Sequence, residues 1–300
     1  MSIFCDAHTV NQPLVTLDQH AITLKREDRL HPTVSGNKFR KLKYNLLQAQ
    51  AAGHNTLLTF GGPYSNHLAA TAAAGKIMGF KTIGVVRGEE PRKPNPTLRF
   101  CQSQGMKLFP ITRAAYKNKE RPDFVRLLND LWGSFYLIPE GGNNALARKG
   151  CEEILSEDER DFDVITCAVG TGGTLAGLIQ SALPHQTVVG FAALKNQNIE
   201  QDIRQWTNKN RWIVNCDYTF GGYAKVTPPL IDFINTFNKN FKTPLDPIYT
   251  GKLLFGIFDM INNKQWVWGK KILVLHTGGL QGIAGMNEKL EQKGWTKIAT

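Results

Sequence analysis

Features that mark membrane, secreted and metal-cluster proteins are missing from this 300-residue sequence. No stretch approaches the roughly 20 consecutive apolar residues that a membrane-spanning helix needs. No basic segment followed by an apolar run opens the chain, so we expect no secretory signal. Cysteines are few, far apart and never in a CxxC pair, so we expect reduced thiols, mostly in the core, and no disulfide framework or metal site. They are Cys5, Cys101, Cys151, Cys167 and Cys216.

Low-complexity segments and internal repeats are also absent, and 42% of the residues are hydrophobic, enough to support a packed core. The chain has 36 basic and 25 acidic residues, a formal net charge of +11. Such a balance suits nucleic acid, a membrane surface or an anionic small molecule. The densest basic groups, at 38–43 and 117–121, do not resemble a nucleic-acid-binding arm, so we expect neither nucleic acid nor membrane as a partner. A nucleic-acid-binding module remains open on charge alone, and salt-dependent retention on a duplex would support it.

Short β-rich apolar runs alternate with helical patterns along most of the chain. The runs VITCAV and ILVL are continuously apolar, as in parallel strands that are covered on both faces. The helical stretches repeat apolar residues at spacings of three and four. The predicted strands are 56–60, 81–86, 106–111, 135–139, 163–169, 187–194 and 271–276, and the predicted helices are 37–52, 66–78, 144–155, 173–183, 252–261 and 282–293. This alternation predicts a doubly wound α/β architecture, in which ligands bind beyond the carboxyl ends of the strands.

A glycine-rich loop, Gly170-Thr171-Gly172-Gly173-Thr174, follows VITCAV and precedes a helical pattern. Glycines let backbone amides turn towards a ligand, and the helix start adds partial positive charge, so the loop suits a phosphate dianion. The loop has neither the GxxxxGK[ST] spacing of a P-loop nor the GxGxxG spacing of a dinucleotide site. We therefore expect a small ligand with one phosphate. The alternative is a tight turn that holds no ligand.

Two other segments place reactive side chains at predicted helix starts. Lys38 lies in a first helical turn, where the positive end of the helix favours the neutral amine that Schiff-base chemistry requires. Ser65, Asn66 and His67 follow a predicted strand and would suit a carboxylate or a phenolate oxygen. The alternatives are a solvated lysine and ordinary N-capping by Ser65 or Asn66. His67 by itself fits a structural hydrogen bond better than a general base.

Two tyrosines complete the candidate set. Tyr223 follows a pair of glycines and Tyr249 lies in DPIYTGK, so each is on a predicted turn before a helix. Tyrosines in such positions are more often half-buried packing residues than acids. No nucleophile elbow or Ser-His-Asp spacing is present, so the sequence does not indicate a serine hydrolase.

Six segments, taken together and in order, resemble one family. They are SGNKFRKLKY, GGPYSNHLAATAA, PEGGNNALARKG, VGTGGTLAGL, DPIYTGKLLFGI and HTGGLQGIAG, spanning residues 35–285. The family is the 1-aminocyclopropane-1-carboxylate deaminase and D-cysteine desulfhydrase group of pyridoxal-phosphate enzymes. The resemblance implies the tryptophan-synthase-β-like fold, PLP fold type II, with two doubly wound open-sheet domains. It places 1–52 and 145–300 in a larger domain that anchors the cofactor and 53–144 in a smaller domain that binds the substrate carboxylate.

The resemblance also gives each candidate residue a role. Lys38 matches the lysine that holds pyridoxal 5'-phosphate, Asn66 the partner of its phenolic oxygen, and Thr277 the hydroxyl residue at its pyridine nitrogen. Ser65 matches a serine that binds the substrate carboxylate and acts as a nucleophile in the deaminases. The implied cofactor-binding residues are Lys38, Asn66, Gly170, Thr171, Gly172, Gly173, Thr174 and Thr277. The implied substrate-binding residues are Ser65, Asn66, His67 and Thr250, and the implied catalytic residues are Lys38, Ser65, Tyr223 and Tyr249.

Position 250 separates two activities within the family. The deaminases have a glutamate directly after the second tyrosine, whereas the desulfhydrases have a threonine, as this sequence does at Thr250. Without that carboxylate, the opening of a cyclopropane ring loses an acid–base partner. A neutral hydroxyl at the ring nitrogen, the role implied for Thr277, favours elimination over transamination. We therefore expect β-elimination from D-cysteine to pyruvate, ammonia and sulfide.

Several alternatives stay open at this point. They are 1-aminocyclopropane-1-carboxylate deamination, elimination or racemisation of another small D-amino acid, and a catalytically silent ligand-binding homologue. Tyr64 replaces the family's usual glutamine beside the substrate carboxylate site and leaves the natural substrate open. We expect a cytoplasmic protein, and the resemblance implies a homodimer.

Overall fold

The computed structural model describes residues 3–4, 9–89 and 93–300. The strands in this part of the chain are β1 Asn11–Leu17, β2 His20–Lys25, β3 Thr56–Gly61, β4 Lys81–Arg87, β5 Lys107–Ile111, β6 Tyr136–Ile138, β7 Val164–Val169, β8 Thr187–Ala192, β9 Trp212–Asn215 and β10 Lys271–Leu275. The α-helices are α1 Asn37–Ala51, α2 Asn66–Met78, α3 Pro96–Ser103, α4 Arg113–Tyr116, α5 Pro122–Trp132, α6 Ala145–Glu152, α7 Gly173–Ser181, α8 Ile199–Arg204, α9 Pro228–Phe241, α10 Thr250–Asn262 and α11 Gly282–Gln292.

These strands form two open sheets. The six-stranded sheet has the order β1-β2-β10-β7-β8-β9, and its neighbours are parallel except for the edge pair β1 and β2. The four-stranded sheet has the order β5-β4-β3-β6 and is parallel throughout. The expected α/β fold with two doubly wound sheets is confirmed. The antiparallel edge pair is an addition that the sequence pattern did not predict.

Each predicted strand forms, and β3, β4, β7, β8 and β10 are buried along most of their length. In β7 every residue is buried, as VITCAV indicates. The predicted helix at 66–78 matches α2 residue for residue, with Ser65 as its N-cap and Gly79 in a left-handed conformation at its end. No prediction covered β1, β2, β9, α3, α4, α5, α8 or α9, and all of these form in the structure.

Helix α1 packs against the four-stranded sheet and against helix α6. Its apolar stripe, with Phe39 and Leu42, is buried in one cluster with Leu57 of β3 and Ile138 of β6. On another face, α1 packs against α6. The helix that carries Lys38 therefore shares a core with the four-stranded sheet, although it precedes residue 53. The division into 1–52 with 145–300 and 53–144 stays a prediction.

Four of the five cysteines lie in the described residues, all as free thiols. Cys101, Cys151 and Cys167 are buried, as expected of core residues, whereas Cys216 is exposed. Burial raises the pKa of the Cys101 thiol to about 12, so this side chain packs as an unreactive apolar group. Cys5 lies outside the described residues. Within the described chain, none of the helices combines the length and apolar character needed to span a membrane.

Candidate active site

A cavity of about 610 Å³ lies where the carboxyl ends of strands from both sheets meet. Gly62 follows β3, Arg87 ends β4, Val169 ends β7 and Thr277 follows β10, and all four line it. A cavity of this size suits a cofactor together with a small substrate. The described lining has four cationic side chains and one carboxylate, that of Glu140, which pairs with Lys119 at 3.3 Å. The cavity therefore attracts anions.

The glycine-rich loop joins β7 to the first turn of α7 at one wall. Gly172 has a φ of 82°, a conformation that favours glycine. A Cβ on Gly170 would lie 3.2 Å from the Tyr249 ring, and a Cβ on Gly173 only 2.6 Å from Oδ1 of Asn143. The loop is thus shaped by close neighbours as well as by its turn. Four of its five residues line the cavity, namely Gly170, Thr171, Gly172 and Thr174, whereas Gly173 does not.

Lys41 is a buried cation beside this loop that the sequence analysis did not single out. It is 2% exposed and lines the cavity. Its Nζ lies 3.3 Å from the carbonyl oxygen of Gly141 and 3.3 Å from the place of a Cβ on Gly173. Within the described residues it forms no ion pair, and burial lowers its pKa. A buried cation next to a helix N-terminus makes a site for an anion.

Lys38 enters the cavity from the first turn of α1. Gly36, with a φ of 64°, lets the start of α1 touch the segment after β10, because any Cβ there would clash with the carbonyl oxygen of Thr277. Burial, with a smaller contribution from the positive charge of Lys41, lowers the pKa of Lys38 to about 7. A substantial fraction of this amine is therefore neutral at physiological pH, as a nucleophile or base requires.

Ser65 and Asn66 line the cavity from the start of α2. The Ser65 hydroxyl accepts a hydrogen bond from the backbone N–H of Leu68 at 3.2 Å, so Ser65 caps the helix as well as facing the cavity. Oδ1 of Asn66 accepts from Nε2 of Gln281 at 2.8 Å, which leaves the Asn66 Nδ2 as a donor. Gly279 permits this arrangement, since a Cβ there would lie 2.7 Å from that Nδ2.

His67 is held by a strand residue. Its Nε2 lies 2.9 Å from the Thr59 hydroxyl, whose own proton goes to the carbonyl oxygen of Ile138. Nε2 must therefore be the protonated ring nitrogen. Burial and the charges of Lys38 and Lys41 lower the pKa of His67 well below its usual value, so the ring is neutral. This supports the structural interpretation of His67 over a role as general base.

The two candidate tyrosines meet in the cavity. Tyr249 and Tyr223 both line it and lie close enough for each to affect the pKa of the other, with Tyr223 at the rim and 42% exposed. Burial raises the pKa of Tyr223 and raises that of Tyr249 well above its usual value. Both phenols are therefore protonated at neutral pH and can donate a proton. Thr277, across the cavity, is also on the lining.

Thr250 and Tyr64 both lie outside the cavity lining. Thr250 is 1% exposed, does not line the cavity, and donates its hydroxyl proton to Oδ1 of Asp246 at 2.8 Å. Asp246 also accepts from the backbone N–H groups at the start of α10, so Thr250 belongs to that turn. A contact between Thr250 and substrate is thus not supported. Tyr64 packs on α11 and does not line the cavity.

Comparison with known proteins agrees with this geometry. The chain matches the PALP family, described as pyridoxal-phosphate dependent enzymes, over residues 6–278. It is 30% identical to a putative 1-aminocyclopropane-1-carboxylate deaminase of Pyrococcus horikoshii, covering 90% of this chain and 87% of the relative. It is 29% identical to a bifunctional D-cysteine desulfhydrase/1-aminocyclopropane-1-carboxylate deaminase of Arabidopsis thaliana, covering 87% and 72%.

The fold leads to the same family. A crystal structure of a 1-aminocyclopropane-1-carboxylate deaminase homologue superimposes with a TM-score of 0.80 and 26% identity, over 97% of this chain and 98% of the other. The resemblance read from the six sequence segments is confirmed, and so is the fold type that it implied. The chain is an enzyme of the pyridoxal-phosphate-dependent family, in the group of the 1-aminocyclopropane-1-carboxylate deaminases and D-cysteine desulfhydrases, and its cofactor is pyridoxal phosphate.

Proposed function

We propose that this enzyme catalyses β-elimination from D-cysteine, converting D-cysteine and water to pyruvate, ammonia and sulfide. The observation that carries the proposal is the composition of the cavity wall. It combines an amine with a pKa of about 7, on Lys38, with two protonated phenols, on Tyr223 and Tyr249. The one carboxylate on the described lining, that of Glu140, pairs with Lys119. Proton removal and proton donation are thus provided without a free carboxylate.

The residues present fit the cofactor. The glycine-rich loop, the start of α7 and the Lys41 ammonium suit its phosphate, and Nδ2 of Asn66 suits its phenolic oxygen. Thr277 offers a hydroxyl for the ring nitrogen, and Lys38 offers the amine that holds the aldehyde carbon. Bound pyridoxal phosphate supplies a sink for the electron pair that is left when a bond to the substrate Cα breaks.

The protein side chains then move the protons. The neutral amine of Lys38 accepts the proton from Cα, which requires the lowered pKa that burial provides. A phenol of the Tyr223–Tyr249 pair donates a proton to the sulfur as the Cβ–S bond breaks, so sulfide leaves as a neutral or singly charged species. Ser65, Asn66 and the start of α2 bind the carboxylate throughout. The released enamine reacts with water to give pyruvate and ammonia.

Deamination of 1-aminocyclopropane-1-carboxylate is the second candidate, because several relatives carry that name. Against it, the side chain at position 250 is a threonine bonded to Asp246, so no carboxylate follows Tyr249. A different small D-amino acid, eliminated or racemised, would use the same groups. A silent binding homologue is disfavoured because Lys38, both tyrosines and the glycine-rich loop all line one cavity.

The first measurement is product release by the purified, cofactor-loaded protein. With D-cysteine, sulfide and pyruvate are expected in equal amounts, while L-cysteine and 1-aminocyclopropane-1-carboxylate should turn over far more slowly. Release of 2-oxobutanoate from the cyclopropane substrate at a comparable rate would favour the second candidate. No product from D-cysteine, with the cofactor's visible absorbance intact, would overturn the proposed substrate while leaving the family assignment in place.

Ser65→Ala tests whether the start of α2 binds the carboxylate. Loss of an N-cap costs about 1 kcal/mol of stability, and loss of a hydrogen bond to a charged group is expected to raise KM for D-cysteine about tenfold or more. The matched control is Thr112→Ala, which removes the cap of α4, where the exposed Thr112 side chain accepts from the N–H of Ala115 at 3.2 Å. Unchanged kinetics in Ser65→Ala would leave Ser65 with a capping role alone.

Two further expectations stay proposals. A homodimer and a cytoplasmic location rest on the family resemblance and on the scattered, reduced cysteines. The substrate that binds in the cavity is a small amino acid, as the family implies.

A further inference from the structure

Tyr64, directly before Ser65, packs against α11. A Cβ on Gly285 would lie 2.7 Å from both Cδ1 and Cε1 of the Tyr64 ring, so the ring occupies space that glycine leaves open. The ammonium of Lys289, one turn further along α11, lies 3.9 Å from the ring centroid. A cation at this distance is attracted by the negative face of the ring. Tyr64 is therefore held by both backbone shape and charge.

The same short loop has two further anchors. Nδ2 of Asn95, the N-cap of α3, donates to the carbonyl oxygen of Pro63 at 2.8 Å. On the other side of Tyr64, Nε2 of Gln281 donates to Oδ1 of Asn66 at 2.8 Å. Loop 62–66 follows β3 of the four-stranded sheet, whereas Gln281 and α11 follow β10 of the six-stranded sheet. The contacts of Tyr64 and Asn66 thus fix one wall of the cavity relative to the other.

An exposed ion pair also joins the two sides but holds them weakly. Arg99 of α3 lies 3.4 Å from Glu288 of α11, and both side chains are about half exposed. Such pairs contribute little in water. The Tyr64 ring, half-buried between Gly285 and Lys289, is the stronger tie.

We propose that Tyr64 is a positioning residue, which keeps Ser65 and Asn66 at the place where the substrate carboxylate binds by anchoring their loop to α11. The inference rests on the proposed function, in which these two residues bind that carboxylate.

Gly285→Ala is the sharpest test, because it displaces the Tyr64 ring without changing any side chain on the cavity wall. Alanine is also a better helix former than glycine, so α11 itself is not weakened. We expect KM for D-cysteine to rise about three- to tenfold, with kcat changed less than about twofold. Tyr64→Leu should raise KM similarly, whereas Tyr64→Phe, which keeps the ring, should have the native KM. The matched control is Lys149→Met, which removes an exposed ammonium 4.5 Å from the Tyr44 ring, on α6 and outside both α11 and the 62–66 loop.

A second readout does not depend on the identity of the substrate. In the cofactor-loaded protein, amide hydrogen exchange should be faster at residues 62–68 and 281–289 in Gly285→Ala and Tyr64→Leu, and native in Tyr64→Phe and Lys149→Met. Binding of propylamine, an amine without a carboxylate, to the cofactor should be equal in all variants. Native exchange in Gly285→Ala, or equal damage in Tyr64→Phe and Tyr64→Leu, would overturn the proposal. If D-cysteine is not turned over at all, the proposed function fails while the exchange result still decides the role of Tyr64.

Discussion

Replacing Lys38 with methionine is expected to reduce turnover about a thousandfold or more, the usual size of the loss of a general base. The Lys38 amine, with a pKa of about 7, is the proposed base, and methionine, of similar length, has no basic group to replace it. Since the base must be neutral, kcat of the native enzyme should fall as the pH drops below about 7. Sulfide release measured from pH 5.5 to 9 checks both statements. The variant should also lose the cofactor adduct that borohydride fixes.

The control for Lys38→Met is the stability of the cofactor-free protein. In the folded chain the pKa of Lys38 is about 7, against 10.5 for a lysine in water, so between these values the unfolded chain binds a proton that the folded chain does not. The free energy of unfolding should therefore rise with pH across that range. The stability lost by burying the Lys38 amine is largest below pH 7. Lys38→Met removes this cost of burying an amine, so at pH 7 its free energy of unfolding should be higher by about 1 to 2 kcal/mol, and its urea midpoint should be higher as well. A variant that is inactive and unstable would indicate damage to the fold, and one that keeps a reducible adduct would place the anchor elsewhere.

The sequence could predict the elements that dominate the site. Strand β7 is continuously apolar because it is buried on both faces, and α2 is bounded by Ser65 at one end and Gly79 at the other. Elements with weaker local signals were missed. In β1, at the sheet edge, no residue is buried, and in β2 buried and exposed residues are mixed, so no clean pattern appears. Helix α9 starts with Pro228, which resembles a breaker but is well suited to the first helical turn.

Side chains that meet across the chain were less predictable. Lys41 lies in a quoted segment, but its neighbour Gly141 is 100 residues away, so nothing local shows that the two meet. Its spacing of three from Lys38, which puts both lysines on one face of α1, was the one available signal. A position next to a candidate residue was an equally poor guide to contact with the cavity. Tyr64 and Thr250 each have such a neighbour in sequence, yet Tyr64 packs on α11 and Thr250 bonds to Asp246.

Lys41→Met is expected to weaken the binding of pyridoxal phosphate rather than the chemistry. A charge-assisted hydrogen bond contributes about 1.5 to 3 kcal/mol, so the dissociation constant should rise about 10- to 100-fold. At saturating cofactor, kcat should return to within a few fold of the native value. Titration of the cofactor-free protein, followed by the visible absorbance of the bound cofactor, measures the change.

Two controls separate a phosphate contact from general damage. Pyridoxal has no phosphate, so its affinity should be the same in Lys41→Met and in the native chain. Lys43, on the same helix as Lys41, forms a partly exposed ion pair with Glu153, 2.7 Å apart. Lys43→Met removes this pair and should leave the affinity for pyridoxal phosphate unchanged. Equal losses for pyridoxal and its phosphate in Lys41→Met would show that Lys41 supports the wall without binding the anion. A loss of affinity for pyridoxal phosphate but not for pyridoxal would give the two lysines of α1 separate roles. Lys38 would bind the reacting carbon of the cofactor, and Lys41 would bind its phosphate.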